Sequence, residues 1–158
     1  MDNLKEEMLK LDNQLCFSLY ATAKEIIRRY KPLLDNFDIT YTQYITLLVL
    51  WEKDGLKVKT LGERLYLDSG TLTPLLRKLE SKGYILKKKD TKDSRETTVY
   101  LTDKGRKLKE KIVVVPATMG ACVKLEPDDF LLLQTLLRKV RSGLTGGISA
   151  MKENKKGR

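Results

Sequence analysis

Residues 60–101 constrain the fold more than any other part of the chain. Thr60 and Glu63 have the spacing of a capping box, in which two side chains satisfy free N–H groups at a helix start, so a short helix is predicted over 61–66. Asp68, Ser69, Gly70 and Thr71 follow, a cluster suited to turns and helix starts. Leu72, Leu75, Leu76 and Leu79 recur at three- and four-residue spacings and give a second helix one apolar face. Its other face carries Ser69, Thr71, Thr73, Arg77 and Lys78. The start is placed near Ser69, with Thr73-Pro74 as the competing start, and Gly83 marks the end. Residues 84–89 and 95–101 are rich in strand formers and flank a polar turn at 90–94. A helix-turn-helix followed by a hairpin is a winged helix, here in a mainly α chain.

Charge is concentrated on the same stretch. Residues 57–111 hold sixteen Lys and Arg against eight Asp and Glu, while residues 1–56 net −2, out of +10 for the chain. A basic bias localised on a helix-turn-helix and hairpin points to a polyanion partner. The sequence has no histidine, which removes Ser-His and Cys-His nucleophiles and most zinc sites. Cys16 and Cys122 are too far apart in sequence to form a disulfide framework or a metal motif, so no cofactor is expected. No apolar run approaches the ~18 to 20 residues that span a bilayer, and the expectation is a soluble, cytoplasmic protein without a membrane partner.

Before the winged helix, residues 11–30 read as one long helix ended by Pro32. Leu11, Leu15, Leu19, Ala23 and Ile26 form one ridge, and Cys16, Tyr20, Ala23, Ile27 and Tyr30 an adjoining one, an apolar stripe too wide for a single neighbour. Thr40 and Gln43 occupy capping-box positions, Ile39 and Tyr44 those of a hydrophobic staple, and Tyr44, Leu47, Leu48 and Trp51 give the buried face of the next helix. Thr102 to Gly105 open a helix that is broken or bent at Pro116, and Glu126 to Asp129 open a last one, loosened by Gly143, Gly146 and Gly147. The terminal helices carry more apolar surface than a winged-helix core can use, so a homodimer is expected. The organisation is then a dimerisation helix at 1–35, a DNA-binding lobe at 36–101, dimerisation helices at 102–150 and a disordered basic tail at 151–158.

A two-fold dimer offers two recognition helices ~34 Å apart, one turn of B-DNA, which suits a pseudo-palindromic double-stranded operator. Ser69, Thr71, Thr73 and Arg77, with Lys78 beside them, are expected against bases and phosphates. Lys87, Lys88, Lys89 and Lys92 would contact phosphate. Asp93 and Arg95 fall on one side of a strand, so Asp93 can orient the Arg95 guanidinium for a narrow minor groove; the plainer reading is a surface ion pair that stiffens the hairpin.

The run from Leu67 to Glu80, the Asp93-Ser94-Arg95 wing and the run from Leu101 to Gly105 resemble the MarR family of dimeric winged-helix repressors, up to about Ser142. The Asp-Ser-Gly-Thr-Leu-Thr-Pro stretch is similar to its OhrR-like organic-hydroperoxide-sensing branch.

Spacing singles out Cys16. Tyr20 lies one turn after it, and Tyr30, fourteen residues on, shares its face but lies ~21 Å along the axis. Cys16 and Tyr30 cannot touch within one straight helix but can meet if two such helices run antiparallel across a dyad, and Tyr41 could then complete the pocket. Phenol hydroxyls donating to sulfur favour thiolate, and a helix N-terminus adds a smaller push. Taken alone Cys16 is a small core residue; the tyrosines favour a reactive thiol. The resemblance implies that organic hydroperoxide oxidises Cys16 to sulfenic acid, with Tyr30 and Tyr41 supplied by the other subunit. It also implies resolution by a second cysteine, for which Cys122 is the candidate, or by a small-molecule thiol; a filler role for Cys122 stands beside these. The competing readings are a MarR-type repressor released by a phenolic ligand with Cys16 structural, a thiol peroxidase, and an architectural DNA-binding protein.

Overall fold

The computed structural model describes residues 2–89 and 96–153, with side chains over 5–89 and 96–144. The chain divides into two compact units, Met1–Met119 and Gly120–Arg158. In the first, helix α1 (Asp2–Leu9) and a 3-10 turn (Leu11–Asn13) precede α2 (Leu15–Asp35). The single helix expected over 11–30 therefore starts later and ends later. Gln14 is extended, its side-chain amide donates to the Lys10 carbonyl at 3.2 Å, and the Asn13 amide donates to the Glu7 carbonyl at 2.7 Å. Side-chain amides that take up backbone carbonyls in this way compete with a continuous helix. Pro32 does not end α2. It removes one backbone donor, yet Leu34 is 1% exposed and its carbonyl accepts from Phe37 and Ile39, so burial holds the last turn beyond the proline.

Helix α3 (Tyr41–Glu52) opens on the expected capping box: Thr40 Oγ1 accepts from the Gln43 N–H at 3.3 Å and Gln43 Oε1 from the Thr40 N–H at 3.0 Å. Ile39 and Tyr44 are both buried. Tyr44 and Leu47 face the core as expected, joined by Thr46, Val49 and Leu50, whereas Leu48 faces outward and Trp51 is half-buried. The Trp51 indole N–H donates to the Gly105 carbonyl at 3.0 Å.

Strand β1 (Leu56–Lys57) was not expected and shifts the following helix. It pairs antiparallel with residues further on, Leu56 opposite Val99 and Lys57 opposite Thr98, so the chain enters α4 (Val58–Leu65) directly from the sheet. Lys57 is the N-cap, Thr60 lies inside the first turn, and the Thr60–Glu63 capping box is not formed. Tyr66 closes α4 in the left-handed region at φ 56°.

Helix α5 (Ser69–Ser81) begins where the sequence places it and runs on through Pro74. Leu72, Leu75, Leu76 and Leu79 are all buried. Gly83, at φ +73°, turns the chain into β2 (Ile85–Lys89), which pairs antiparallel with β3 (Thr97–Leu101) from Ile85–Leu101 to Lys89–Thr97; the sheet order is β1-β3-β2. The turn at 90–94 and residue 95 lie outside the described residues. Helix α6 (Asp103–Ile112) is capped by Thr102, whose Oγ1 accepts from the Gly105 N–H at 3.1 Å. A Cβ at Gly105 would stand 2.1 Å from the Tyr84 carbonyl oxygen, so helix and strand meet there backbone to backbone. The helix breaks at Val113, three residues before Pro116, which sits in the first turn of α7 (Val114–Val123), where a missing N–H is harmless.

Leu34, Leu47, Leu50, Leu61, Leu72, Leu76, Leu79, Ile85 and Val99 form one core, each worth ~1.5–3 kcal/mol of transfer. Outside it, Leu15, Phe17, Tyr20 and Ile27 on α2 are exposed.

The second unit holds the end of α7 and α8 (Pro127–Glu153), which starts as expected but continues through Gly143, Gly146 and Gly147 instead of loosening. Phe130, Leu131, Leu132, Leu133, Leu136 and Leu137 are all exposed. Of the tail expected to be disordered, the helix includes residues up to Glu153, and 154–158 lie outside the described residues. Among the described residues no helix is long and apolar enough to cross a membrane.

Candidate functional site

The basic face is built on α5. Asp68 caps the helix, its carboxylate accepting from the Thr71 N–H at 2.8 Å, and that bond holds the carboxyl below the usual range. With the leucines turned inward, Ser69, Thr71, Thr73, Arg77 and Lys78 all stand exposed, as one surface expected to meet DNA. The strand lysines divide. Lys87 is an ion-pair partner of Glu80 at 2.8 Å, and its N–H donates to the same carboxylate at 3.1 Å, so it ties the wing root to α5. The Lys88 ammonium lies 5.4 Å from the Tyr100 ring centre, and Lys89 is exposed at the strand end. Asp93, Arg95 and Lys92 lie outside the described residues.

The candidate sensing residues fall into two places. Cys16 is exposed in the first turn of α2, with exposed Tyr20 one turn on and the Lys24 ammonium 5.7 Å from the Tyr20 ring. Tyr30, further along the same continuous helix by ~21 Å, packs instead with α3. Its ring centre is 4.9 Å from that of Tyr41, the planes 54° apart. Tyr44 joins them, 5.8 Å from Tyr30 at 38°. Burial raises the pKa of all three phenols above the usual tyrosine value, Tyr41 adding to the effect on Tyr30, so each remains a proton donor at neutral pH. None of the three hydroxyls hydrogen-bonds to another described residue, and none is sealed from solvent. Three donors without an acceptor share one side of the α2–α3 packing. Tyr44 was read from the sequence only as a core and staple residue; its i, i+3 relation to Tyr41 was the available signal. Cys122 is exposed near the end of α7, in the second unit.

The turn after α2 also touches the C-terminal end of α5. The Lys82 ammonium is 2.9 Å from an Asp38 carboxylate oxygen and also donates to the Asp38 carbonyl, while the Tyr84 hydroxyl donates to the Phe37 carbonyl at 3.2 Å. Asp38 itself has φ 53°. A polar cleft of about 190 Å³ opens here between Asp35, Thr40, Gln43, Lys78 and Lys82. Among the described residues no cluster of His, Cys, Asp or Glu could hold a metal ion.

Comparison with known proteins bears on both surfaces. The family model described as transcriptional regulator SarA/Rot matches residues 28–112, which takes in Tyr30, the phenol cluster, α5 and the wing. The organic hydroperoxide resistance transcriptional regulator of Bacillus subtilis is 48% identical over 137 residues, 87% of this chain and 92% of that one. The structure of reduced AbfR bound to DNA superposes with a TM-score of 0.79 at 32% identity, over 91% of this chain and 99% of that one. The structure of disulfide-formed AbfR gives 0.62 at 34% identity, over 89% and 98%.

Proposed function

Because this chain belongs to the SarA/Rot family of transcriptional regulators, with the MarR-type winged-helix fold, we propose that it is a homodimeric repressor switched off by oxidation of Cys16. The observation that carries the reading is the separation of a thiol from its donors. Cys16 is exposed at one end of α2, and three phenols without an acceptor lie at the other. Two chains whose α2 helices run antiparallel across a dyad bring each thiol to Tyr30 and Tyr41 of the partner subunit. The exposed apolar side chains of α2 and α8 are the surface such a dimer buries. The regulator acts on DNA in the cytoplasm.

Reduced dimer holds a pseudo-palindromic operator through α5 and the wing. The Cys16 thiolate, stabilised by phenol donors, attacks the terminal oxygen of an organic hydroperoxide. The S–O bond forms as the O–O bond breaks, the terminal oxygen keeps its hydrogen on sulfur as sulfenic acid, and the alkoxide leaves as alcohol by taking up the proton the thiol gave off on ionising, so sulfur is oxidised by two electrons. Condensation with Cys122 or with a small-molecule thiol releases water and leaves a disulfide. The altered sulfur disturbs the dimer packing of α2 and with it the spacing of the two reading helices; a thousandfold loss of affinity needs only ~4 kcal/mol. The hydroperoxide regulator of B. subtilis and the reduced and disulfide forms of AbfR support this reading by likeness.

The test is Cys16→Ser. That variant is expected to bind operator as wild type does and to stay bound under cumene hydroperoxide; release as ready as wild type overturns cysteine sensing. A non-reducing gel run beside the mobility shift reports whether Cys122 closes an intersubunit bond. Release of the Cys16→Ser protein by a phenolic ligand alone would instead favour the polar cleft beside Lys78 as the effector site.

A further inference from the structure

Tyr30 packs against two residues of α3. The Thr40–Gln43 capping box fixes where that helix begins, which places Tyr41 in its first position and Tyr44 three residues later on the same side. The Tyr30 ring lies 4.9 Å from one and 5.8 Å from the other. The three differ in burial: Tyr30 and Tyr41 are half-buried, whereas Tyr44 is 3% exposed, its ring packed in the core. We infer that Tyr44 is a positioning residue of the sensing site, its ring backing Tyr30 and fixing where that phenol points its O–H. This rests on the sulfur–phenol reading above.

The physical argument is one of rotamers. A tyrosine at the edge of a helix pair can swing about its first side-chain torsion among separate staggered wells, and a hydroxyl carried at the far end of the ring moves by several ångströms between them. A hydrogen bond to thiolate needs the oxygen within a few tenths of an ångström and well aligned. Tyr41 gives Tyr30 one aromatic contact. The buried Tyr44 ring, tilted by 38°, adds a second at 5.8 Å and narrows the wells open to Tyr30. The contact is made by the ring, which phenylalanine would keep.

The experiment compares Tyr44→Leu, Tyr44→Met and Tyr44→Phe in the full-length dimer. The readouts are the second-order rate of Cys16 oxidation by cumene hydroperoxide and the pH midpoint of that rate, with thermal unfolding and reduced-state operator affinity measured alongside. Tyr44→Leu and Tyr44→Met are expected to react about tenfold more slowly, with the midpoint moved up by about one pH unit, as loss of one donor to thiolate requires. Tyr44→Phe restores the ring and is expected to recover both rate and midpoint. A merely structural role would lower melting temperature and leave the pH midpoint where it was. The inference is overturned if a folded, operator-binding Leu or Met variant reacts with unchanged rate and midpoint, or if Phe is as slow as Leu. Tyr30→Phe and Tyr41→Phe separate this from the parent reading. If neither slows oxidation, phenol activation of Cys16 itself fails; if both do while Tyr44→Leu does not, only the role of Tyr44 falls.

Discussion

Lys82, at the C-cap of the recognition helix, and Asp38, in the turn that ends the cysteine-bearing helix, are joined by an ion pair of 2.9 Å. The same ammonium donates to the Asp38 carbonyl, and Tyr84 grips the neighbouring Phe37 carbonyl, so backbone as well as side chain is held. These bonds tie the turn after α2 to the end of α5.

Lys82→Met should therefore cost little stability and much coupling. The Asp38 carboxylate is 88% exposed, and exposed pairs contribute ~0–1 kcal/mol. The expected result is a melting temperature within a few degrees of wild type, with the ratio of operator affinities between reduced and peroxide-treated protein reduced at least threefold. Mobility shifts in both redox states measure it.

Leu76 and Arg77 are neighbours in sequence with opposite duties. Leu76 is 2% exposed in the core, and Leu76→Ala should lower unfolding free energy by ~2–5 kcal/mol in urea denaturation. Arg77 is exposed on the reading face. Arg77→Ala should leave stability within ~0.5 kcal/mol and weaken operator binding by ~1–3 kcal/mol, most at one base position.

The two wing lysines should differ in their salt response. Lys89→Ala is expected to reduce the slope of log affinity against log salt by about one, since an exposed ammonium at a phosphate releases a counterion. Lys87→Ala should leave that slope nearly unchanged, because Lys87 already neutralises Glu80. Operator titrations across a range of potassium chloride concentrations distinguish them.

The phenol cluster predicts an alkaline limit to stability. Burial raises Tyr30, Tyr41 and Tyr44 above the ordinary value of 10.0. A group whose folded value is raised holds its proton where the unfolded chain has lost it, so its contribution is whole below the unfolded value and lost as pH rises through the folded one. Denaturant midpoints should be level from neutral pH to about 10 and then fall, and Tyr44→Phe should make that fall shallower. Phenolate absorbance followed through the same range gives the titration directly.

What could be read from the chain beforehand was whatever depended on near neighbours. The four leucines of α5, its start at Ser69, the stop at Gly83 and the Thr40–Gln43 box all follow from residues within a few positions of each other. Thr60 and Glu63 have the same spacing as a formed box and make none, because Leu56 pairs with Val99, more than forty residues away, and sets the helix start at Val58. Pro32 carries a local stop signal that burial of Leu34 overrides. In the candidate sensing site, Tyr30 is legible from its spacing to Cys16 and Tyr41 from its place at the next helix start, their joint role only from the family resemblance. Tyr44 was not, because ring contact between α2 and α3 is a property of their packing.

At Gly105 the axis of α6 rests on the carbonyl of Tyr84 with room for nothing larger than hydrogen. A joint of that kind has no side chain to slide upon or rearrange. Tilt the shaft of α6 and the root of the hairpin must travel with it, so a rotation imposed on that helix is handed straight to the strand that starts at Ile85.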